Sequence, residues 1–285
     1  MKNVKIVVDS STGWTKKEAK ESGFFYLPLC INDIFENKSY LDDGESITKS
    51  QILEYLKDSR LITSQSSVGS IIEVMNSFSE NNTVVFVVIP KKISNLYFTI
   101  KNLISNKNLK NFFVIDNSFV SAPLIYCLKY IKKYMENFES VEEIQYFFDY
   151  VNKKNSVFFA VNDIRYLKNG GRINWGVAKI ISSLNIVPVL EMKNGEIVKK
   201  GVCKNINSFV QKYVISKIKR SDSVIFISSY NEDDSLVLNT KKRIKDKLPN
   251  IQIIFFSLPN TIMIHTGPKM IGFWIPRKIK IVDVF

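Results

Sequence analysis

A chain of 285 residues with 45% hydrophobic and 24% charged side chains can bury a sizeable core in two modest domains or one large one, which excludes a disordered polypeptide. The formal charge of +13 is mostly lysine spread along the sequence with abundant Asn, Ile and Phe, the mixture an AT-rich genome encodes. No basic stretch interleaves with aromatics, so no specific nucleic-acid partner is expected, although a positive surface favours transient contact with an anionic membrane or an acidic partner.

No run of about eighteen apolar residues occurs, so no bilayer-spanning helix is expected. The apolar part of residues 1–9 is too short for a secretory signal, and cytoplasmic residence is the expectation. Cys30, Cys127 and Cys203 lie far apart without a Cys-x-x-Cys pair. They read as small buried hydrophobes in a reduced compartment, not as disulfides or a zinc site.

In chain order, the β-branched run 5–8 predicts a buried strand that opens into Asp9-Ser10-Ser11-Thr12-Gly13. Thr15 with Glu18 three residues on is a capping box that predicts a helix over 15–22, and 24–31 reads as the next strand. Helices follow over 49–59, 67–79, 95–105 and 122–138, with strands over 83–89 and 112–115. Such alternation predicts a parallel sheet covered by helices, with a ligand beyond the carboxyl ends of the strands, where 9–12, 90–94 and 116–118 lie.

The pattern changes near 155–162. A strand over 156–161 precedes a short helix or turn over 164–168, the tight turn Asn169-Gly170-Gly171-Arg172 and a helix through 181. Asn194-Gly195 between runs 186–192 and 196–199 predicts a hairpin. Helices over 208–219 and 234–247, strands over 223–228 and 251–257, a loop over 265–268 and a last strand over 279–284 complete the chain. The fold class is therefore α/β in two domains. Residues 1–158 form a Rossmann-like domain with a parallel sheet, and 159–285 an α/β domain with a largely antiparallel sheet.

One histidine rules out His-rich metal sites, and no P-loop, Gly-x-Gly-x-x-Gly or Gly-x-Ser-x-Gly motif is present, so neither metal nor cofactor is expected. Thr63-Ser64-Gln65-Ser66-Ser67 puts four hydroxyls in five residues before a helix. Simple capping and anion binding by hydroxyls and backbone N–H groups are equally good accounts of it. His265 follows an apolar run as at a strand end, where a structural role is the commoner one.

Several segments together resemble the DegV family nearly end to end: Asp9-Ser10-Ser11-Thr12, Pro28-Leu29, Tyr40-Leu41-Asp42, Thr63-Ser64-Gln65, Ile89-Pro90 with Ser94, and Ile115-Asp116-Asn117-Ser118. The most specific is Tyr166-Leu167-Lys168-Asn169-Gly170-Gly171-Arg172-Ile173, followed by Leu184-Asn185-Ile186-Val187-Pro188-Val189-Leu190, and His265-Thr266-Gly267-Pro268 completes the series. The resemblance implies a non-catalytic carrier that holds a long-chain fatty acid in an apolar tunnel and presents its carboxylate to a fatty-acid kinase subunit. It implies Thr63, Ser94 and His265 at the carboxylate, Ser64, Arg172, Thr266 and Gly267 at the pocket or interface, and Lys204 in the place of an arginine that faces the kinase. Lys91 and Lys92 replace the small residues usual before Ser94, Lys269 replaces a glycine, and Pro123 stands after Ser118 in place of a small residue. The alternatives are a small hydrolase or acyl transferase using a serine with His265, and a regulatory module for another lipid or an isoprenoid.

Overall fold

A computed structural model describes residues 3–58, 60–171, 186–219 and 224–277. The first half comprises β1 (Val4–Asp9), α1 (Lys16–Glu21), β2 (Phe25–Leu27), β3 (Cys30–Asp33), β4 (Lys38–Leu41), α2 (Lys49–Lys57), β5 (Leu61–Ser64), α3 (Val68–Asn76), β6 (Thr83–Val87), α4 (Leu96–Asn106), β7 (Phe112–Val114), α5 (Ser121–Lys133) and α6 (Val141–Lys154). The second half comprises β8 (Val157–Ala160), α7 (Ile164–Gly170), β9 (Val187–Lys193), β10 (Glu196–Cys203), α8 (Ile206–Phe209), β11 (Val224–Ser229), α9 (Ser235–Lys247), β12 (Gln252–Ser257), α10 (Asn260–Thr266) and β13 (Ile271–Trp274).

Strands β2-β1-β6-β7 form a parallel sheet. Alternate residues supply its two faces: Ile6, Val8, Val85 and Val87 enter one core cluster, and Val7, Val84 and Phe86 the other. In the second half, β10-β9-β8-β13-β11-β12 form a six-stranded sheet that is antiparallel except between β11 and β12. Helix α5 packs between the two sheets, with Tyr126 and Trp274 rings at a centroid distance of 5.5 Å.

The capping box at α1 is present, with Glu18 N–H donating to Thr15 Oγ1 and Thr15 N–H to Glu18. The strand expected over 24–31 is two strands in different sheets. Pro28 lacks an N–H for the ladder and separates β2, in the parallel sheet, from β3, in a three-stranded antiparallel sheet β4-β3-β5. Helix α6 is absent from the expectations above, although Ser140 caps it and Val141, Ile144, Phe148 and Val151 form its buried stripe. After α8 the chain runs on as a π-helical stretch, Val210–Ile215, where an ordinary helix is expected. Cys127 and Cys203 are buried, while Cys30 on β3 is half-exposed. The expected helix through 181, the strand over 279–284 and Arg172 lie outside the described residues.

Candidate functional site

On β5 the alternation buries Leu61, turns Ile62 and Ser64 to solvent and directs Thr63 inward. Thr63 Oγ1 lies 2.5 Å from His265 Nε2, joining residues 202 positions apart in sequence. The hydroxyl run divides its work. Ser67 caps α3 by accepting from Ser70 N–H, and Ser66 donates to Pro28 O at 2.7 Å. Exposed Ser64 accepts from Asn32 Nδ2 at 3.0 Å. Capping therefore accounts for one hydroxyl in four, and Thr63 is the one committed to the histidine.

His265 is in the last turn of helix α10, not at a strand end, and the expected loop over 265–268 begins only at Gly267. The apolar triplet Ile262-Met263-Ile264 is too short to display a 3.6-residue period, so its continuous run mimics a strand. Gly267 ends the helix at φ 79°, and a Cβ there would lie 2.4 Å from Tyr166 Cδ2. Glycine is required because the Tyr166 ring of α7 lies against its backbone. Helix α7 is closed by Gly171 at φ 63°, and its Tyr166 against Gly267 brings two of the family-like segments together.

The start of α10 is tied down as well. Asn260 Nδ2 donates to Asp42 Oδ1 at 2.9 Å. Burial pushes the Asp42 carboxyl up to about 6 against the help of Asn260 and Ser10. Asp9, whose carboxylate accepts from Ile89 N–H at 2.8 Å and Ser11 N–H at 3.0 Å, is likewise pushed by burial to about 6. The Asp9-Ser10-Ser11-Thr12 segment thus braces the strand ends, with Ser10 Oγ accepting from Leu29 N–H at 3.1 Å.

Ser94 lies in the loop at the carboxyl end of β6. Its Oγ accepts from Leu96 N–H at 3.3 Å at the start of α4. The structure gives it no direct bond to Thr63 or His265, but neighbouring Ile93 packs against the same two clusters as Ile262 of α10. The loop lysines are paired: Lys91 with Asp116 at 2.6 Å and Lys92 with Glu196 at 3.2 Å. Such half-exposed pairs add little stability. They do neutralise the added charge and help seat the β9–β10 hairpin, whose Gly195 would place a Cβ 3.3 Å from Pro90. Lys204 follows β10 and is exposed.

Beside α10 is a cavity of about 550 Å³, open mouth included. Its floor is one face of the six-stranded sheet, where Val157, Phe159, Met192, Gly272 and Trp274 occupy alternate positions of paired strands. Val120 and Pro123 at the start of α5, with Ile262 and Thr266 of α10, lie over it. Thr266 spends its hydroxyl on Ile262 O at 2.9 Å, leaving its methyl for the cavity. Helix α10 therefore carries His265, the partner of Thr63, in its last turn and gives Ile262 and Thr266 to the cavity wall. Thr63, Ser94 and His265 are not among the lining residues. The apolar lining is that of a small-molecule site. The cavity is what sequence reasoning missed, because its floor joins residues of β8, β9 and β13, strands far apart in sequence that pair only in the fold. Among the described residues no group of three or more metal-ligating side chains occurs, and no helix is long and apolar enough to cross a membrane.

The chain is 28% identical over 274 residues to a DegV domain-containing protein of Mycoplasmopsis pulmonis, covering 93% of this chain and 91% of that one. A solved stearic acid-binding protein from Eubacterium ventriosum superposes with a TM-score of 0.79 at 24% identity, over 96% of this chain and 98% of its own. A DegV family protein from Eubacterium eligens loaded with heptadecanoic acid gives a TM-score of 0.76 at 17% identity, over 96% and 100% of the two chains. Residues 3–278 match the model described as an uncharacterised protein, DegV family, and with nearly the whole chain matched this protein belongs to the DegV family.

Proposed function

We propose that this protein binds one long-chain fatty acid, with the acyl chain in the cavity over the six-stranded sheet and the carboxylate at Thr63, His265 and Ser94. The observation that carries the reading is the apolar cavity walled by the same helix, α10, that brings His265 to Thr63. Fatty acids in the related Eubacterium proteins support it. Each buried methylene contributes about 0.8 kcal/mol, so the tail supplies affinity. A hydroxyl and an imidazole satisfy the head group without the bidentate grip of an arginine, which leaves the carboxylate open to reaction.

The protein is a carrier without catalysis or cofactor of its own, and presents the carboxylate to a fatty-acid kinase in the cytoplasm. Exposed Lys204 belongs to the docking face, and Ser64, Thr266 and Gly267 to the pocket margin. The positive surface permits brief contact with anionic membrane during loading. The proposed domain division at 158/159 falls within β8, all of which pairs within the six-stranded sheet.

Denaturing mass spectrometry of protein purified from a bacterial host is expected to release a fatty acid. A protein that is empty and fails to take up added acid defeats the proposal. Thr63→Val with Ser94→Ala is expected to weaken acid binding about tenfold or more with the fold intact by circular dichroism. Ester hydrolysis abolished by His265→Ala points instead to the hydroxyl–imidazole pair as a catalytic dyad.

A further inference from the structure

The cavity lining is polar at one place. Ser228 of β11 lies opposite Gly272 in the register with β13, and Trp274 is two residues further along that strand. The two-residue period puts all three on one face, and all three line the cavity. Ser121, at the start of α5, brings its Oγ to 3.2 Å from Ser228 Oγ and lines the cavity too. Two hydroxyls joined by a single hydrogen bond use one of their two O–H donors, so one donor remains.

Trp274 packs its ring on Tyr126 and on Phe226, at centroid distances of 5.5 and 4.9 Å. The side chain is 1% exposed, yet its Nε1–H has no hydrogen-bond partner among the described residues. Native proteins leave few buried donors without an acceptor, because water no longer compensates them. Val120 at the N-cap of α5 also supplies no side-chain acceptor to the first turn of that helix. This part of the wall therefore holds donors left unanswered, the Trp274 N–H and the second serine O–H.

We propose that Ser121, Ser228 and Trp274 form a subsite for an oxygen substituent, hydroxyl or keto, carried along the acyl chain of the bound acid. The inference rests on the fatty-acid reading above. A plain methylene chain gains only burial along this wall. A hydroxylated chain also loses the water on its oxygen, and recovers that loss only where the oxygen's lone pairs meet the Trp274 N–H and the serine O–H. Affinity therefore depends on the position of the substituent. A buried hydroxyl that meets no partner weakens binding about 10- to 100-fold.

The test is titration of the delipidated protein with stearic acid and with a positional series of monohydroxylated octadecanoic acids. One position is expected to bind within about threefold of stearic acid, while the others lose about tenfold or more. Ser228→Ala is expected to lower the affinity ratio of the matched hydroxy acid to stearic acid by about tenfold, and Trp274→Phe to lower it in the same sense. Equal losses at every position, or a ratio unchanged in both variants, overturn the subsite while stearic acid binding keeps the carrier reading intact. Failure of stearic acid itself to bind refutes that reading, and the subsite with it.

Discussion

Gly272 offers a direct way to shorten the cavity without disturbing the fold. A Cβ at this position would lie 3.5 Å from Phe159 Cβ, 3.7 Å from Met270 Sδ and 3.8 Å from Ser228 O, all ordinary van der Waals contacts. Its φ lies outside the left-handed region, and β13 is a central strand in which a β-branched residue is at home. In Gly272→Val the backbone need not move, and the new methyl groups occupy space on the cavity floor. Three added carbons displace about three carbons of the acyl chain. At about 0.8 kcal/mol each that removes about 2.4 kcal/mol, a roughly 60-fold loss of affinity. Removing a strand glycine itself adds a few tenths to about 1 kcal/mol of stability. The assay is displacement of a fluorescent fatty acid by stearic acid, alongside thermal denaturation of the delipidated variant. An affinity within twofold of wild type in a fully folded variant refutes the placement of the acyl chain over β13.

Gly267→Ala puts a Cβ into the Tyr166 ring at a left-handed φ, and is expected to cost about 2–4 kcal/mol in urea unfolding and to weaken acid binding by displacing His265. An alanine as stable as wild type shows that the ring contact does not constrain the turn. Asp42 has a carboxyl raised to about 6 by burial, so the folded state holds a proton that the unfolded chain releases near 3.8. Stability contributed at this site is therefore highest at low pH and falls as pH rises from about 4 to about 6, by about 3 kcal/mol at 1.36 kcal/mol per pH unit. Asp42→Asn keeps an acceptor for Asn260 but cannot ionise, and any fixed cost of the amide is the same at every pH. The unfolding free energy of wild type minus that of the variant is expected to drop by about 2–3 kcal/mol between pH 4 and pH 7, and a flat difference contradicts a raised carboxyl at Asp42.

Local chemistry set much of the fold in the sequence. The Thr15–Glu18 capping box started α1 where it stands, and Asn194-Gly195 turned the β9–β10 hairpin. The strand and helix alternation of residues 1–158 gave the parallel sheet, because period and caps report interactions within a few residues. The short strands β4 and β5 were not legible, since strands of four residues hardly exceed one alternation and hold their place by pairing with β3. Helix α10 was hidden for a related reason: an apolar triplet reads as a strand until its packing against α7 fixes the turn.

The candidate residues Thr63, Ser94 and His265 came from family likeness, and their chemistry was visible only as hydroxyls and a lone imidazole. Tertiary structure alone brought Thr63 Oγ1 to His265 Nε2, across 202 residues of chain. It also paired Lys91 and Lys92 with acids that no local pattern links to them. The cavity belongs wholly to this level. A wall built from residues scattered over β8, β9, β10, β11 and β13 has no contiguous sequence signature, because its surface exists only once these strands have paired and α5 and α10 have closed over them.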